Sequence, residues 1–196
     1  MEDKDLIWEE IKCEHIVQDE WIDFRKSEYR FPDGTTFEPY YSYSRRDYTV
    51  IVARDEDGRY ICVRQFRHGI KEVTTEFPAG GIERTDGKEY GGRGVGSEDA
   101  LEAAKRELRE ETGYESDEWT HLITIPSNAT IADNYAYLFF ADNCRKVSGQ
   151  DLDDTEFLNV VTIAGDELEK LINDGGFQQM AHVTAYFMAQ SKTHTD

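Results

Sequence analysis

Residues 97–114 read SEDALEAAKRELREETGY, and the reading of this stretch decides the rest. Leu101, Ala104 and Leu108 recur at the three- and four-residue spacing of an amphipathic helix. Ser97 is placed to cap its start, Glu98 and Asp99 suit its first turn, and Gly113 suits the left-handed position that ends a helix. At about 100° per residue, Glu107, Glu110 and Glu111 share one arc beside the apolar stripe. The small Ala100 and Ala103 lie on that arc upstream and leave space above the carboxylates. Like charges at this spacing repel, and the C-terminal part of a helix disfavours anions. Arg106 and Arg109 offset some of that charge, but from other arcs of the helix. A hard divalent cation with oxygen ligands would neutralise the cluster most simply. The plain alternative is a solvated acidic face.

Outward from this helix, composition sets the bounds. The 196 residues suffice for one domain with a proper core and a small N-terminal extension. Charged residues make up 32% and hydrophobic residues 38%, which suits a soluble chain. No apolar run approaches the ~18–20 residues of a membrane span. Residues 1–10 are too acidic for a signal peptide, so a cytoplasmic location and no membrane partner are expected. Cys13, Cys62 and Cys144 are widely spaced and indicate neither a disulfide framework nor a zinc site. A formal charge of −19 argues against nucleic acid as a partner. It leaves room for a small phosphate ester that arrives with a metal. The five histidines show no ligand spacing, although His68 falls near the presumed site.

In chain order, strand patterns are expected at residues 11–17 and 21–30, with a Pro32-Asp33-Gly34 turn and an aromatic run at 37–43. Apolar strands at 47–53 and 59–65 flank the turn Asp55-Glu56-Asp57-Gly58. Further strands are expected at 119–124, 135–141 and 157–162, and helices at 166–173 and 178–190. Between the last three strands lie a connection at 126–134 and an acidic loop at 149–157.

Gly92, five residues, Glu98, seven residues and then Arg106-Glu107-Leu108-Arg109-Glu110-Glu111-Thr112-Gly113 resembles the signature of the Nudix hydrolases, with Tyr114 where an aliphatic residue is usual. Gln65-Phe66-Arg67, followed by Glu76-Phe77-Pro78-Ala79-Gly80, is similar to the feature that precedes the signature helix in ADP-ribose and nucleotide-sugar pyrophosphatases. Two alignments stay open. Either Gly92 is the first signature glycine, or Gly80 holds that place and residues 84–96, RTDGKEYGGRGVG, are an inserted glycine-rich loop. A proline usual in the ADP-ribose branch is replaced by Ala129, with Pro126 nearby.

The resemblance implies an α/β fold, the Nudix α/β/α sandwich with a mixed sheet over residues 46–196, plus a small N-terminal antiparallel β extension over 1–45. In that branch such an extension builds a homodimer. The implied activity is Mg²⁺-dependent, or Mn²⁺-dependent, hydrolysis of ADP-ribose or a related nucleoside-diphosphate sugar. Metal ligands would be Glu107, Glu110, Glu111 and the carbonyl of Ala79, with Arg106 holding the glutamates. Arg67, Glu76 and Gly80 would meet the substrate, and Glu156 or Asp154 would be the general base. GDP-mannose and dinucleoside polyphosphates are alternative substrates, and a nucleotide-sugar sensor without turnover is the alternative outside enzymes.

Overall fold

The computed structural model describes residues 2–84 and 98–193. Gly92, Ser97 and the glycine-rich stretch beyond Arg84 lie outside the described residues. On either side of that stretch Glu98 N–H donates to the Glu83 carbonyl (2.7 Å), so the chain returns to the point it left.

A three-stranded antiparallel sheet comes first: β1 (Glu9–Gln18), β2 (Asp23–Arg30) and β3 (Thr36–Ser44), in that order. The strand expected from residue 21 begins at Asp23 instead. Asp19 accepts the amides of Trp21 (2.8 Å) and Ile22 (3.0 Å) and bends the chain into a turn there. Every residue of β1 is exposed. The alternation of Ile11, Cys13, His15 and Val17 therefore marks no buried face, and the ladder to β2 alone makes this segment a strand.

Eight described strands form the second sheet. They are β4 (Tyr48–Asp55), β5 (Tyr60–Arg67), β6 (Glu72–Glu76), β7 (Ala79–Gly81), β8 (Tyr114–Glu115), β9 (Glu118–Pro126), β10 (Tyr135–Lys146) and β11 (Leu158–Ile163). The order is β11-β5-β4-β10-β8, with β6 on β5, β7 on β4 and β9 on β10. β10 runs parallel to β4 while its other pairings are antiparallel, so the sheet is mixed as expected. The short β6, β7 and β8 carry too few residues for a readable alternation and are not among the expected strands.

Side-chain alternation splits this sheet into two covered faces. Val50 and Val52 on β4, Cys62 on β5, and Leu138 and Phe140 on β10 pack with Leu168 of α2 (Gly165–Asn173) and with Ala185, Tyr186 and Ala189 of α3 (Met180–Thr193). Ile51, Ala53, Ile61, Phe139 and Ala141 take the opposite face with Ala104 and Leu108 of α1 (Ala100–Thr112). Leu108 is fully buried, which contributes about 2 kcal/mol. The layers are thus helix, sheet, helix, with the small antiparallel sheet appended. All three cysteines are free, and Cys62 and Cys144 are core residues. Among the described residues no helix is long and apolar enough to cross a membrane.

Candidate functional site

The helix that carries the glutamates is shorter than the expected 97–114. It spans Ala100–Thr112, and its N-cap is Asp99, whose side chain accepts the amides of Leu101 and Glu102. Gly113 ends it in the left-handed region at φ 75° and donates to the Arg109 carbonyl (2.7 Å). Tyr114 has already entered β8.

The three carboxylates share an arc but not an environment. Glu107 is 7% exposed and Glu111 2% exposed, whereas the Glu110 side chain is 37% exposed. Burial pushes the Glu107 carboxyl up to about 7, against the opposing charge and hydrogen bond of Arg106. Burial also drives Glu111 well above the ordinary carboxylate range, although the Ala79 N–H donates to it (3.0 Å). Arg106 does not stand apart on another arc. It reaches Glu107 (2.8 Å), Glu110 (2.9 Å), Glu98 (3.1 Å) and the Gly81 carbonyl (3.0 Å), and so ties α1 to β7. Arg109 turns away to Glu115 (3.0 Å).

β7 brings the main chain against the glutamates. A Cβ placed on Gly80 would overlap all three atoms of the Glu107 carboxylate, so that carboxylate sits where a side chain would otherwise be. The segment that leads into β7 is braced from two directions. Glu76 is fully buried and receives Arg67 through Nε (2.9 Å) and Nη2, Thr74 Oγ1, and Gln179 Nε2 (3.3 Å). Burial opposes the Glu76 charge, but the Arg67 and Thr74 hydrogen bonds and the Arg67 charge outweigh it and hold the group below its usual range. The next residue, Phe77, donates its amide to His182 Nδ1 (3.1 Å), and burial pushes His182 down to about 4.

A cleft of about 620 Å³ opens along Ala79, Gly80 and Gly81. Arg67 lines it. Arg45, Arg46, Trp21, Tyr43, Tyr48 and Asn134 line it too, and the sequence reading named none of them as site residues. Arg45-Arg46 was a usable signal, being two adjacent cations in a chain of charge −19. Trp21 could not be found from spacing, because it reaches the cleft through a turn of the other sheet. His68 lines an adjoining groove of about 630 Å³ that shares Arg45, Arg67 and Gln179 with the cleft.

The acidic loop is fastened to the end of α1. Gln150 Nε2 donates to the Glu111 carbonyl (2.8 Å) and Asp151 N–H to the Glu110 carbonyl (2.8 Å), satisfying groups the helix leaves open. The loop thereby brings Glu156 near enough for its charge to raise both Glu107 and Glu111. Asp154 is exposed, whereas Glu156 is half-buried. The two proposed bases are therefore not equivalent in place.

Among the described residues no three His, Cys, Asp or Glu side chains are grouped to hold a metal ion by themselves. The donor set nevertheless fits Mg²⁺, which binds through one or two carboxylates and completes its shell with water and substrate phosphate. Glu107 and Glu111 are two hard oxygen donors whose buried charges repel each other, and a divalent cation would relieve that repulsion.

A sequence match to the NUDIX domain covers residues 44–185. The chain is 27% identical over 176 residues to an ADP-ribose pyrophosphatase of Bacillus subtilis (strain 168), covering 86% of this chain and 85% of that one. It is 26% identical over 171 residues to a methanol dehydrogenase activator of Bacillus methanolicus, covering 84% and 82%. In solved structures it resembles an ADP compounds hydrolase with TM-score 0.76 and 20% identity over 94% of this chain and 92% of that one, a likeness of fold.

Proposed function

Because this chain belongs to the NUDIX-domain family, we propose that it is a divalent-metal-dependent pyrophosphatase acting on ADP-ribose or a related nucleoside-diphosphate sugar. One arrangement supports this above others. The buried pair Glu107 and Glu111 lies against the glycine strand of a cleft that also carries Arg45, Arg46 and Arg67 and the rings of Trp21, Tyr43 and Tyr48. Carboxylates for a cation, guanidiniums for a diphosphate and rings for a base are the parts such a substrate needs. The relative named ADP-ribose pyrophosphatase favours ADP-ribose within that class.

When bound, Mg²⁺ or Mn²⁺ supplies Lewis-acid charge neutralisation at the diphosphate. Glu107 and Glu111 would hold it, with Glu110 and the Ala79 carbonyl as further candidate ligands. Arg106 fixes Glu107 and Glu110. Arg67, itself oriented by Glu76, takes up phosphate charge. Glu156 receives the proton of the attacking water as the P–O–P bond breaks, leaving AMP and ribose 5-phosphate from ADP-ribose.

The test is product release from ADP-ribose, GDP-mannose and a dinucleoside polyphosphate, each with Mg²⁺ and with chelator. AMP from ADP-ribose, lost with chelator, is the expected result. In the same assay Glu156→Gln should lose about a hundredfold in kcat, and Asp154→Asn about twofold or less. Turnover of a different diphosphate moves the substrate. Binding without hydrolysis across the panel overturns the enzymatic reading in favour of a sensor.

We also propose a homodimer built through the N-terminal sheet. All of β1 is exposed, and Leu6, Ile7 and Trp8 before it and Ile16 and Val17 within it leave apolar surface uncovered. Light scattering should give twice the chain mass at micromolar concentration, and a monomer mass there would overturn this.

A further inference from the structure

Asn134 closes the connection between β9 and β10 and is 6% exposed. Its Nδ2 donates to the Arg46 carbonyl (3.0 Å), and its Oδ1 accepts from the Ser127 hydroxyl. The Ser127 N–H donates in turn to the Asn134 carbonyl (2.9 Å), which closes the connection on itself. A buried amide with both polar atoms engaged is held in one orientation.

What Asn134 holds is the link between the two sheets. Residues 45–47 join β3 to β4. The same link is pinned at its far end, where Asp47 accepts the Tyr135 N–H at Oδ1 (2.7 Å) and the Ile82 N–H at its carbonyl (2.9 Å). Before it, Tyr43 N–H donates to the Ile131 carbonyl (2.8 Å), and Ser44 Oγ and Arg25 Nη2 (3.3 Å) both donate to Asp133. Main chain on both sides of Arg45-Arg46 is thus anchored to the 127–135 segment, and the Asn134 side chain grips the main chain of this arginine pair at the Arg46 carbonyl.

We propose that Asn134 is a positioning residue for the anion-binding arginines. By fixing the Arg46 carbonyl it fixes the direction from which Arg45 and Arg46 enter the cleft, and both arginines line that cleft. The proposal rests on the pyrophosphatase reading, because it assigns those arginines to a diphosphate. It predicts an effect selective for phosphate-bearing ligands. A residue that mattered only for folding would weaken binding of every ligand alike.

The experiment is calorimetric binding of ADP and of adenosine to the wild-type chain, to Asn134→Ala and to Ser127→Ala, with KM and kcat for ADP-ribose alongside. Asn134→Ala should weaken ADP about tenfold, the scale of one lost buried hydrogen bond, while adenosine changes about twofold or less. KM should rise about tenfold with kcat nearly unchanged. Ser127→Ala keeps the amide bond to Arg46 and removes only the hydroxyl that orients Asn134, so it should shift ADP in the same direction by about threefold. Should Asn134→Ala fail to fold, Ser127→Ala carries the test alone. Equal losses for ADP and adenosine, or a fall in kcat at constant KM, overturn the proposal. A wild-type chain that neither binds ADP nor turns over any diphosphate of the panel overturns the pyrophosphatase reading and this proposal with it, an outcome readily told apart from the other two.

Discussion

Glu111→Gln should lower hydrolysis by on the order of a thousandfold or more, and in chelator the variant should be more stable than the wild type at pH 8. Both halves follow from the burial of Glu111, which is 2% exposed and has a neutral N–H of Ala79 as its hydrogen-bond donor. Without a cation the ionised pair Glu107/Glu111 is a repulsive, desolvated arrangement. Their folded carboxyls lie above the unfolded value of 4.5, Glu107 at about 7. The folded chain therefore binds more protons between those limits than the unfolded chain does. In the metal-free wild type the contribution of Glu107 to stability rises as pH falls from about 7 toward 4.5, by roughly 3 kcal/mol. His182 acts in the opposite sense. Its folded value near 4, against 6.5 when free, removes stability as pH falls through that window. Because His182 is common to both proteins, the difference between their thermal midpoints isolates the glutamate. That difference should favour the variant at pH 8 and close on acidification. Near-normal kcat of Glu111→Gln in saturating Mg²⁺ would remove Glu111 from the metal site.

The helix of these glutamates was legible because its signal is local. Leu101, Ala104 and Leu108 fall at helical spacing and Gly113 ends the run, and the structure keeps all but the edges. Strands β4, β5 and β10 were legible for a different reason. Both their faces are buried, so they read as apolar runs between turn residues. What escaped was the part of the site that depends on distance through space. Trp21 and Arg45 line one cleft with Gly80, across a link between the sheets that the 127–135 segment holds. Nothing in the spacing of residues 21, 45 and 80 encodes that meeting. The role of Arg106 was half visible. Helical geometry alone placed it on another arc from the glutamates, whereas its long side chain spans to Glu107 and Glu110 and continues to the Gly81 carbonyl. An arc computed at Cβ does not limit where a flexible guanidinium arrives. Between Glu156 and Asp154, sequence could not choose. In the structure Glu156 is half-buried and Asp154 exposed, on a loop that Gln150 and Asp151 anchor to the helix end.

Gly80→Ala should lose about a hundredfold in activity while Gly81→Ala stays near wild type, although the two glycines are neighbours on β7. Neither glycine has a left-handed backbone, so the difference is one of space alone. A Cβ on Gly81 would meet nothing nearer than Arg46 Cδ at 3.9 Å, an ordinary contact. On Gly80 the Cβ would occupy the volume of the Glu107 carboxylate. The obstacle is the end of a flexible side chain and not backbone, so Glu107 can swing aside and the fold should survive, with a stability change of about 1 kcal/mol or less. The displaced carboxylate would leave Arg106, which now holds it at 2.8 Å, and would no longer face the position shared with Glu111. A misplacement of about 1 Å in a catalytic group is enough for a hundredfold loss. The comparison also bears on the two alignments left open by the sequence. If Gly80 is the glycine the glutamates require, Gly80→Ala should be severe and Gly92→Ala mild, as measured by kcat for ADP-ribose at matched thermal stability. Equal activity in the Gly80 and Gly81 variants would mean that the Glu107 carboxylate is not held where catalysis needs it, and would detach β7 from the mechanism.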